Sequence, residues 1–269
     1  MNVSFQQEMI IHTFEFEKML DFRPWMTEYW TASFVFALIY LIFLFVGQRL
    51  MKDRKAFNLR LPLTIWSFTL AIFSILGAVR TWKYLGALLM WGGLKTSICY
   101  PDLLKSPTIR FWTMLFVLSK IVELGDTVFI ILRKQKLLFL HWFHHSTVLV
   151  YTWFAYKSGG TGGYWFMTMN YGVHAFMYSY YTVRALGLKT PRILSMIITT
   201  LQITQMIVGA SVSILSFMWR KDCASHTSKQ YLFWTFAIYF AYFALFLNYF
   251  YKAYFRSAEI KAKVKSKSQ

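Results

Sequence analysis

Seven runs of roughly 20 mostly apolar residues, at 31–48, 61–79, 111–132, 137–156, 163–183, 193–219 and 231–251, limit what this chain can become. A bilayer offers no water to backbone N–H and C=O groups, so a segment crossing it must satisfy them internally, as a helix does. The chain is 57% hydrophobic and 20% aromatic yet carries a net charge of +18, with its basic residues gathered between the runs. A soluble domain cannot hide that much apolar surface, whereas a bundle of spanning helices exposes it to lipid. The expected fold is all-α: a polytopic membrane protein, a seven-transmembrane-helix bundle enclosing a buried chamber. An eighth apolar stretch, Tyr84 to Leu94, is too short to span and reads as an interfacial or re-entrant piece. No signal peptide is expected, because residues 1–30 are acidic and lack an apolar core region.

Loop charge predicts the orientation. With the N-terminus luminal, the segments 49–60, 133–136, 184–192 and the tail from Lys252 face the cytosol and carry 17 Lys or Arg, against 11 on the other side. Asn2 then opens a glycosylation sequon, Asn2-Val3-Ser4, on the luminal side. Cys99 and Cys223, the two cysteines, both fall in luminal segments, where an oxidising compartment favours a disulfide between them. Lys265 and Lys267 match a K-x-K-x-x retrieval signal at the C-terminus, which points to the endoplasmic reticulum membrane. Neither a repeat nor a linker divides residues 1–269, which read as one transmembrane domain with a luminal 1–30 segment and a basic tail at 252–269. Gly159, Gly160, Gly162 and Gly163 mark a tight luminal turn.

Three of the seven runs carry ionisable groups, which in a membrane are functional by default. The third holds Lys120, Glu123 and Asp126; the fourth holds His141, His144 and His145; the fifth holds His174. Helical spacing arranges them. The three histidines stand at i, i+3 and i+4 on one face, and Lys120, Glu123 and Thr127 share another with Asp126 adjacent. Asn170, His174, Tyr178 and Tyr181 form a stripe, and Gln202 and Gln205 stand at i, i+3. Singly, such groups are often packing glue or structural ion pairs.

Turns serve as rulers for height, because residues equidistant from a short turn between antiparallel helices lie level at 1.5 Å of rise per residue. The turn near 160 sets His145 level with His174, the turn near 135 sets His144 level with Asp126, and the turn near 188 sets Gln202 level with His174. Four polar boxes thus converge on one layer. That convergence predicts a buried reaction chamber.

The stretches KIVELGDT (120–127), HWFHH (141–145), NYGVHAFMYSYY (170–181) and QITQ (202–205) together resemble the signature boxes of the ELO family, the very-long-chain fatty acid elongases. The resemblance covers essentially the whole chain. RKQKLLFLHWFHH (133–145) and NYGVHAFMYSYY (170–181) are most similar to the branch comprising elongases 3 and 6, which acts on saturated and monounsaturated chains, and the two chain ends tilt the resemblance toward the first of these. The resemblance implies the condensation step of microsomal elongation: acyl-CoA plus malonyl-CoA gives 3-oxoacyl-CoA, CoA and carbon dioxide, with no cofactor. It also implies partners in the same cycle: a 3-ketoacyl-CoA reductase, a 3-hydroxyacyl-CoA dehydratase and an enoyl-CoA reductase. No nucleic-acid partner is expected, and a homo- or hetero-oligomer stays open.

Under this reading the anionic CoA head sits among Arg133, Lys134, Lys136, Arg184, Lys189 and Arg192, the acyl chain extends between apolar side chains, and the thioester reaches the polar layer. Lys120, Glu123, Tyr178, Tyr181, Gln202 and Gln205 are expected around the substrate. With both cysteines on the luminal side, imidazole is the remaining good nucleophile at that depth. His144 is favoured, with Asp126 expected to hold its other ring nitrogen. His174 and Asn170 are expected to stabilise an oxyanion or enolate, and His141 and His145 to orient neighbours or move protons. Two alternatives stay open. A membrane desaturase or hydroxylase also carries H-x-x-H-H, but its paired irons need more imidazoles than the four at this layer, His12 and His226 lying in luminal segments. A transporter or seven-helix receptor would show an open cavity, and a transporter usually two related halves, of which none is visible here.

Overall fold

The computed structural model describes residues 13–18, 23–99, 106–223 and 227–256. Asn2, Lys265 and Lys267 lie outside the described residues, as do His12 and His226. Within them the chain is helical, with no strand. Two short helices, α1 (Glu15–Lys18) and α2 (Arg23–Glu28), precede α3 (Ala32–Met51), α4 (Arg60–Cys99), α5 (Pro107–Val122), α6 (Gly125–Leu132), α7 (Phe139–Ser158), α8 (Gly163–Ala185), α9 (Arg192–Met218) and α10 (Lys229–Phe250). A π-helical turn, Tyr251–Arg256, ends the described chain.

Four helical segments are long and apolar enough to cross a membrane: Ala32–Met51, Arg60–Cys99, Arg192–Met218 and Lys229–Arg256. Their outer faces leave Phe34, Leu38, Phe45, Ile65, Phe68, Ile207, Phe233 and Phe240 exposed, a surface that lipid tolerates and water does not. The protein is a multi-pass membrane protein. α7 and α8 have 20 and 23 residues, long enough for a bilayer core of about 30 Å, but they carry the polar boxes.

Two expectations about elements change. The stretch from Tyr84 to Leu94 is not a separate interfacial piece: it continues α4, which runs 40 residues with a break in helical geometry at Gly93. Ala, Leu, Lys and Trp continue a helix past the point where hydropathy fades, and Gly86 alone does not stop it. The third run is not one uninterrupted helix either. Between α5 and α6, Leu124 N–H bonds Ile121 O, Asp126 N–H bonds Glu123 O and Thr127 N–H bonds Leu124 O, all i to i+3. This tightened hitch shifts Glu123, Asp126 and Thr127 away from ideal α-helical positions. It falls in the middle of the first polar box.

Packing follows chain neighbours only in part. α4 lies along α8, α8 against α9, α9 along α10 and α10 against α7; α7 in turn meets α3 and α5, and α3 meets α6. α5 also touches α4 and α8. Two ties secure the end of the molecule away from α6. Cys99, ending α4, is disulfide-bonded to Cys223 beyond α9, with Cα atoms 4.8 Å apart. Glu17 of α1 is buried and accepts from Arg80 Nε (3.0 Å) and Nη2 (2.6 Å), Trp112 Nε1 (2.9 Å), Thr108 Oγ1 (2.9 Å) and the Phe14 N–H (3.0 Å). Between α7 and α8, Gly159 and Gly162 take positive φ of 59° and 80°, which an L side chain rarely adopts, and so reverse the chain tightly.

Candidate active site

The four polar boxes line one cavity. Its volume is ≈ 460 Å³, and its walls include His141, His144 and His145 from α7, Asn170, His174, Tyr178 and Tyr181 from α8, Asp126 from α6, and Gln202 and Gln205 from α9. Arg192 stands at its edge with Ala253 and Tyr254 of the π-helical turn. Lys120 and Glu123 do not line it. They stand just behind its wall, 2% and 3% exposed, as an ion pair of 2.6 Å between Lys120 Nζ and Glu123 Oε1.

That pair orients a residue of the wall. Lys120 Nζ also donates to Asn170 Oδ1 at 3.0 Å and lies 4.3 Å from the centroid of the Phe116 ring. With its carbonyl oxygen held from behind, Asn170 turns its amide N–H groups the other way. The cavity wall thereby gains a neutral double donor whose direction is fixed.

The three imidazoles of α7 are held differently. His141 Nε2 and Thr127 Oγ1 are 2.9 Å apart, and Thr127 Oγ1 is 2.8 Å from Tyr40 OH, so this ring is tied through the hitch to α3. His145 lies 4.3 Å from His141 ring to ring, and its buried Nδ1 meets no hydrogen-bond partner among the described residues. His144 is held by ring contacts, 4.8 Å from Tyr242, 5.5 Å from His145 and 6.3 Å from Phe246. Neither of its nitrogens meets a hydrogen-bond partner among the described residues, and the ring faces the cavity. His145 also lacks a partner for its ring nitrogens among the described residues, but it is buried, whereas the half-buried His144 is the more open of the two to a ligand.

Asp126 lines the cavity with His144, but it does not hold His144. Its Oδ1 accepts from Trp66 Nε1 at 2.7 Å and its Oδ2 from Tyr178 OH at 2.8 Å. The turn ruler gives height and not azimuth, and the hitch rotates Asp126 toward α4 and α8. Gly125 permits the approach: a Cβ there would stand 2.5 Å from Trp66 Cζ2. Trp66 and Tyr242 were not legible as site residues, since an aromatic in an apolar run looks the same whether it faces lipid, core or cavity.

The basic residues separate into distinct groups. Arg133 and Arg184 line a second cavity of ≈ 350 Å³ that shares Asp126, His141 and Tyr181 with the first. Lys136 and Lys189 are exposed on the same loops. Lys134 takes a left-handed φ of 52° and caps the loop after α3, its Nζ donating to Lys52 O at 2.9 Å and Arg54 O at 3.0 Å. Arg192 latches the π-helical turn, donating to Ala253 O at 3.0 Å and Tyr254 O at 2.8 Å. Gln202 Nε2 lies 3.4 Å from Met177 Sδ, and Gln205 is buried.

Comparison with known proteins places this arrangement. The model of the ELO family, described as the GNS1/SUR4 family, matches residues 25–262. The chain is 54% identical over 266 residues to very long chain fatty acid elongase 3 of Homo sapiens, spanning 99% of this chain and 98% of the human protein. It is 49% identical to the elongase 3 of Mus musculus, over 97% of this chain and 95% of the mouse protein. It is 50% identical to very long chain fatty acid elongase 6 of Homo sapiens, over 91% of this chain and 94% of that protein.

Proposed function

The chain belongs to the ELO family and is a very-long-chain fatty acid elongase, a condensing enzyme, and from that premise we propose that it works through an acyl-imidazole on His144. Acyl-CoA and malonyl-CoA give 3-oxoacyl-CoA, CoA and carbon dioxide, lengthening the acyl chain by two carbons. Neutral His144 attacks the acyl thioester, CoA leaves, and malonyl-CoA then loses carbon dioxide to an enolate that takes the acyl group. The observation that carries this reading is the state of the nucleophiles. The chain has two cysteines and both are in the disulfide. At the cavity His141 is tied to Thr127. Neither His144 nor His145 has a ring nitrogen hydrogen-bonded among the described residues, but His145 is buried against His141, whereas His144 is only half-buried and so is the one open to a thioester.

Around it, Asn170 donates toward the oxyanion or enolate, with His174 beside it. Such donors stabilise charge where it develops. Arg133 and Arg184 receive CoA phosphates at the second cavity. No metal or organic cofactor takes part; a stoichiometric iron in purified protein would sink this assignment. The chain crosses the endoplasmic reticulum membrane seven times, with a luminal Asn2 and a cytosolic tail. By its resemblance to the elongase 3 and 6 branch it serves saturated and monounsaturated chains, and it hands its product to the reductases and dehydratase of the cycle.

The test uses purified enzyme and palmitoyl-CoA alone. Free CoA should appear in a burst of one equivalent or less per chain, and one acyl mass should be found on the peptide containing His144. His144→Ala should abolish both. A burst surviving in that variant would remove His144 as the nucleophile.

A further inference from the structure

Glu123 sits at the hitch between α5 and α6, and its two carboxylate oxygens are in different circumstances. Oε1 accepts from Ser119 Oγ at 3.0 Å and from Lys120 Nζ at 2.6 Å. Oε2 is equally buried and meets no hydrogen-bond donor among the described residues. His174 Nδ1 stands 3.8 Å from it, beyond hydrogen-bond range but with nothing more than a small approach needed. Buried carboxylate oxygens in native proteins are nearly always satisfied, so one left open beside an imidazole calls for an explanation.

We propose that Glu123 is a positioning residue for the second half of the reaction: its Oε2 closes on His174 Nδ1 and holds His174 as the imidazolium that protonates His144 as the acyl group leaves it. This rests on the acyl-imidazole reading. Proton balance is what demands such a donor. In the first half, the C–S bond breaks, the N–C bond to His144 forms, and the proton on the other nitrogen of His144 ends on the departing thiolate. Nothing is gained or lost. In the second half, malonyl-CoA breaks its C–C bond to the carboxylate and releases carbon dioxide. The electron pair stays on carbon, the new C–C bond forms at the acyl carbonyl, and the N–C bond to His144 breaks. The departing imidazole then needs one proton. His174 Nε2, on the opposite edge of the ring from Glu123, is the nitrogen available to the cavity that both histidines line. Water at the cavity mouth restores the proton afterwards.

The charges around His174 are few and nameable. Lys120 and Glu123 face it from α5 and the hitch, His144 and His145 from α7, and Tyr178 from its own helix, with Asp126 behind Tyr178. α9 contributes the neutral Gln202 and Gln205. Burial and the nearby Lys120 both oppose a positive charge on His174, so its imidazolium is transient and depends on the contact that Glu123 Oε2 closes on Nδ1.

Glu123→Gln separates the two oxygens. Its amide oxygen keeps Ser119 and Lys120, and its amide nitrogen, standing at Oε2, cannot accept from His174. In purified full-length enzyme, the palmitoyl-CoA burst should persist while discharge of the acyl-enzyme by malonyl-CoA slows on the order of 10²-fold, the usual scale for a positioned proton donor. The loss should fall on kcat, with KM for malonyl-CoA little changed, and should narrow as pH falls and solvent supplies the proton. Glu123→Asp keeps Lys120 paired but withdraws the carboxylate from His174; should the Gln variant not fold, the Asp variant must show the same split in milder form. Equal slowing of both steps, a lost burst in the folded variant, or unchanged discharge overturns the proposal. A burst that survives His144→Ala instead overturns the reading beneath it, whatever Glu123 does.

Discussion

Tyr178 donates its phenolic proton to Asp126 Oδ2 at 2.8 Å, joining α8 to α6 across the floor of the cavity. Trp66 of α4 completes the carboxylate from the other side at 2.7 Å. Three helices therefore meet on one carboxyl group. Removing one donor leaves a buried carboxyl oxygen under-satisfied, so Tyr178→Phe should destabilise the protein by about 1 to 2 kcal/mol, the scale for stranding a buried hydrogen-bonding group. Thermal melting in detergent reads this directly. A Tyr178→Phe melting curve superimposable on the parent would mean that water replaces the phenol.

A second prediction concerns acid stability. Burial pushes the Glu17 carboxyl up, but Arg80, Trp112, the Phe14 N–H and Thr108 together outweigh it and hold it below its ordinary value of 4.5. A carboxyl lowered in the folded state contributes stability that is fully present above its unfolded value and is lost as pH falls through the folded one. The melting temperature should thus be flat from neutral pH down to about 5 and fall below 4.5. In Glu17→Gln that fall should be shallower. The variant should also be less stable at neutral pH by about 3 kcal/mol, the scale for stranding one member of a buried pair. An unchanged acid limb would show that other carboxylates govern it.

The disulfide gives a third. Cys99 and Cys223 are 124 residues apart in sequence, so the bond closes a large loop and joins the end of α4 to the end of α9. Cys223→Ser should lower stability by about 2 to 4 kcal/mol and remove the gel-mobility shift that reduction produces in the parent. A shift persisting in Cys223→Ser would contradict the pairing.

The basic residues can be told apart kinetically. Arg133 and Arg184 line a cavity, whereas Lys134 is occupied with the carbonyls of Lys52 and Arg54. Arg133→Ala and Arg184→Ala should raise KM for CoA substrates by about tenfold each, with a weaker dependence on salt, as expected when a charge-assisted phosphate contact is removed. Lys134→Ala should instead lower the melting temperature and leave KM alone. The reverse pattern would exchange their roles.

How much of this was legible in the chain depends on what kind of information each feature needs. Membrane-spanning runs are one-dimensional, and Ala32–Met51 and Arg192–Met218 could be read from hydropathy within a few residues. Height along a helix is nearly as direct, and counting from turns brought His144, His174, Asp126 and Gln202 to one layer. Azimuth is not. The hitch at Glu123 and Leu124 leaves no mark in composition, yet it turns Asp126 to Trp66 and Tyr178 and leaves Glu123 facing His174. Length beyond the bilayer is also hidden, which is why α4 outran its apolar run as far as Cys99. Aromatic partners such as Tyr242 were invisible because their chemistry resembles their surroundings.

That last residue gives the remaining prediction. With Asp126 committed elsewhere, the His144 ring is fixed by shape: it lies tilted against Tyr242 at 4.8 Å, and Tyr242 is itself held by a 2.8 Å contact between its hydroxyl and Thr147 Oγ1, one turn along α7 from His144. A nucleophile must meet the thioester carbon in a narrow range of distance and angle, and small misplacements are costly in rate. Tyr242→Ala opens space beside the ring and should lower the rate of the acyl-CoA burst on the order of 10²-fold, leaving its final amplitude and the acylated peptide unchanged. Tyr242→Phe keeps the ring face and loses the hydroxyl's contacts with Thr147 Oγ1 and with the His144 carbonyl oxygen (3.5 Å), so its loss should be much smaller. Equal losses in the two variants would mean that the hydroxyl and not the ring face matters, and that His144 is oriented by a hydrogen bond.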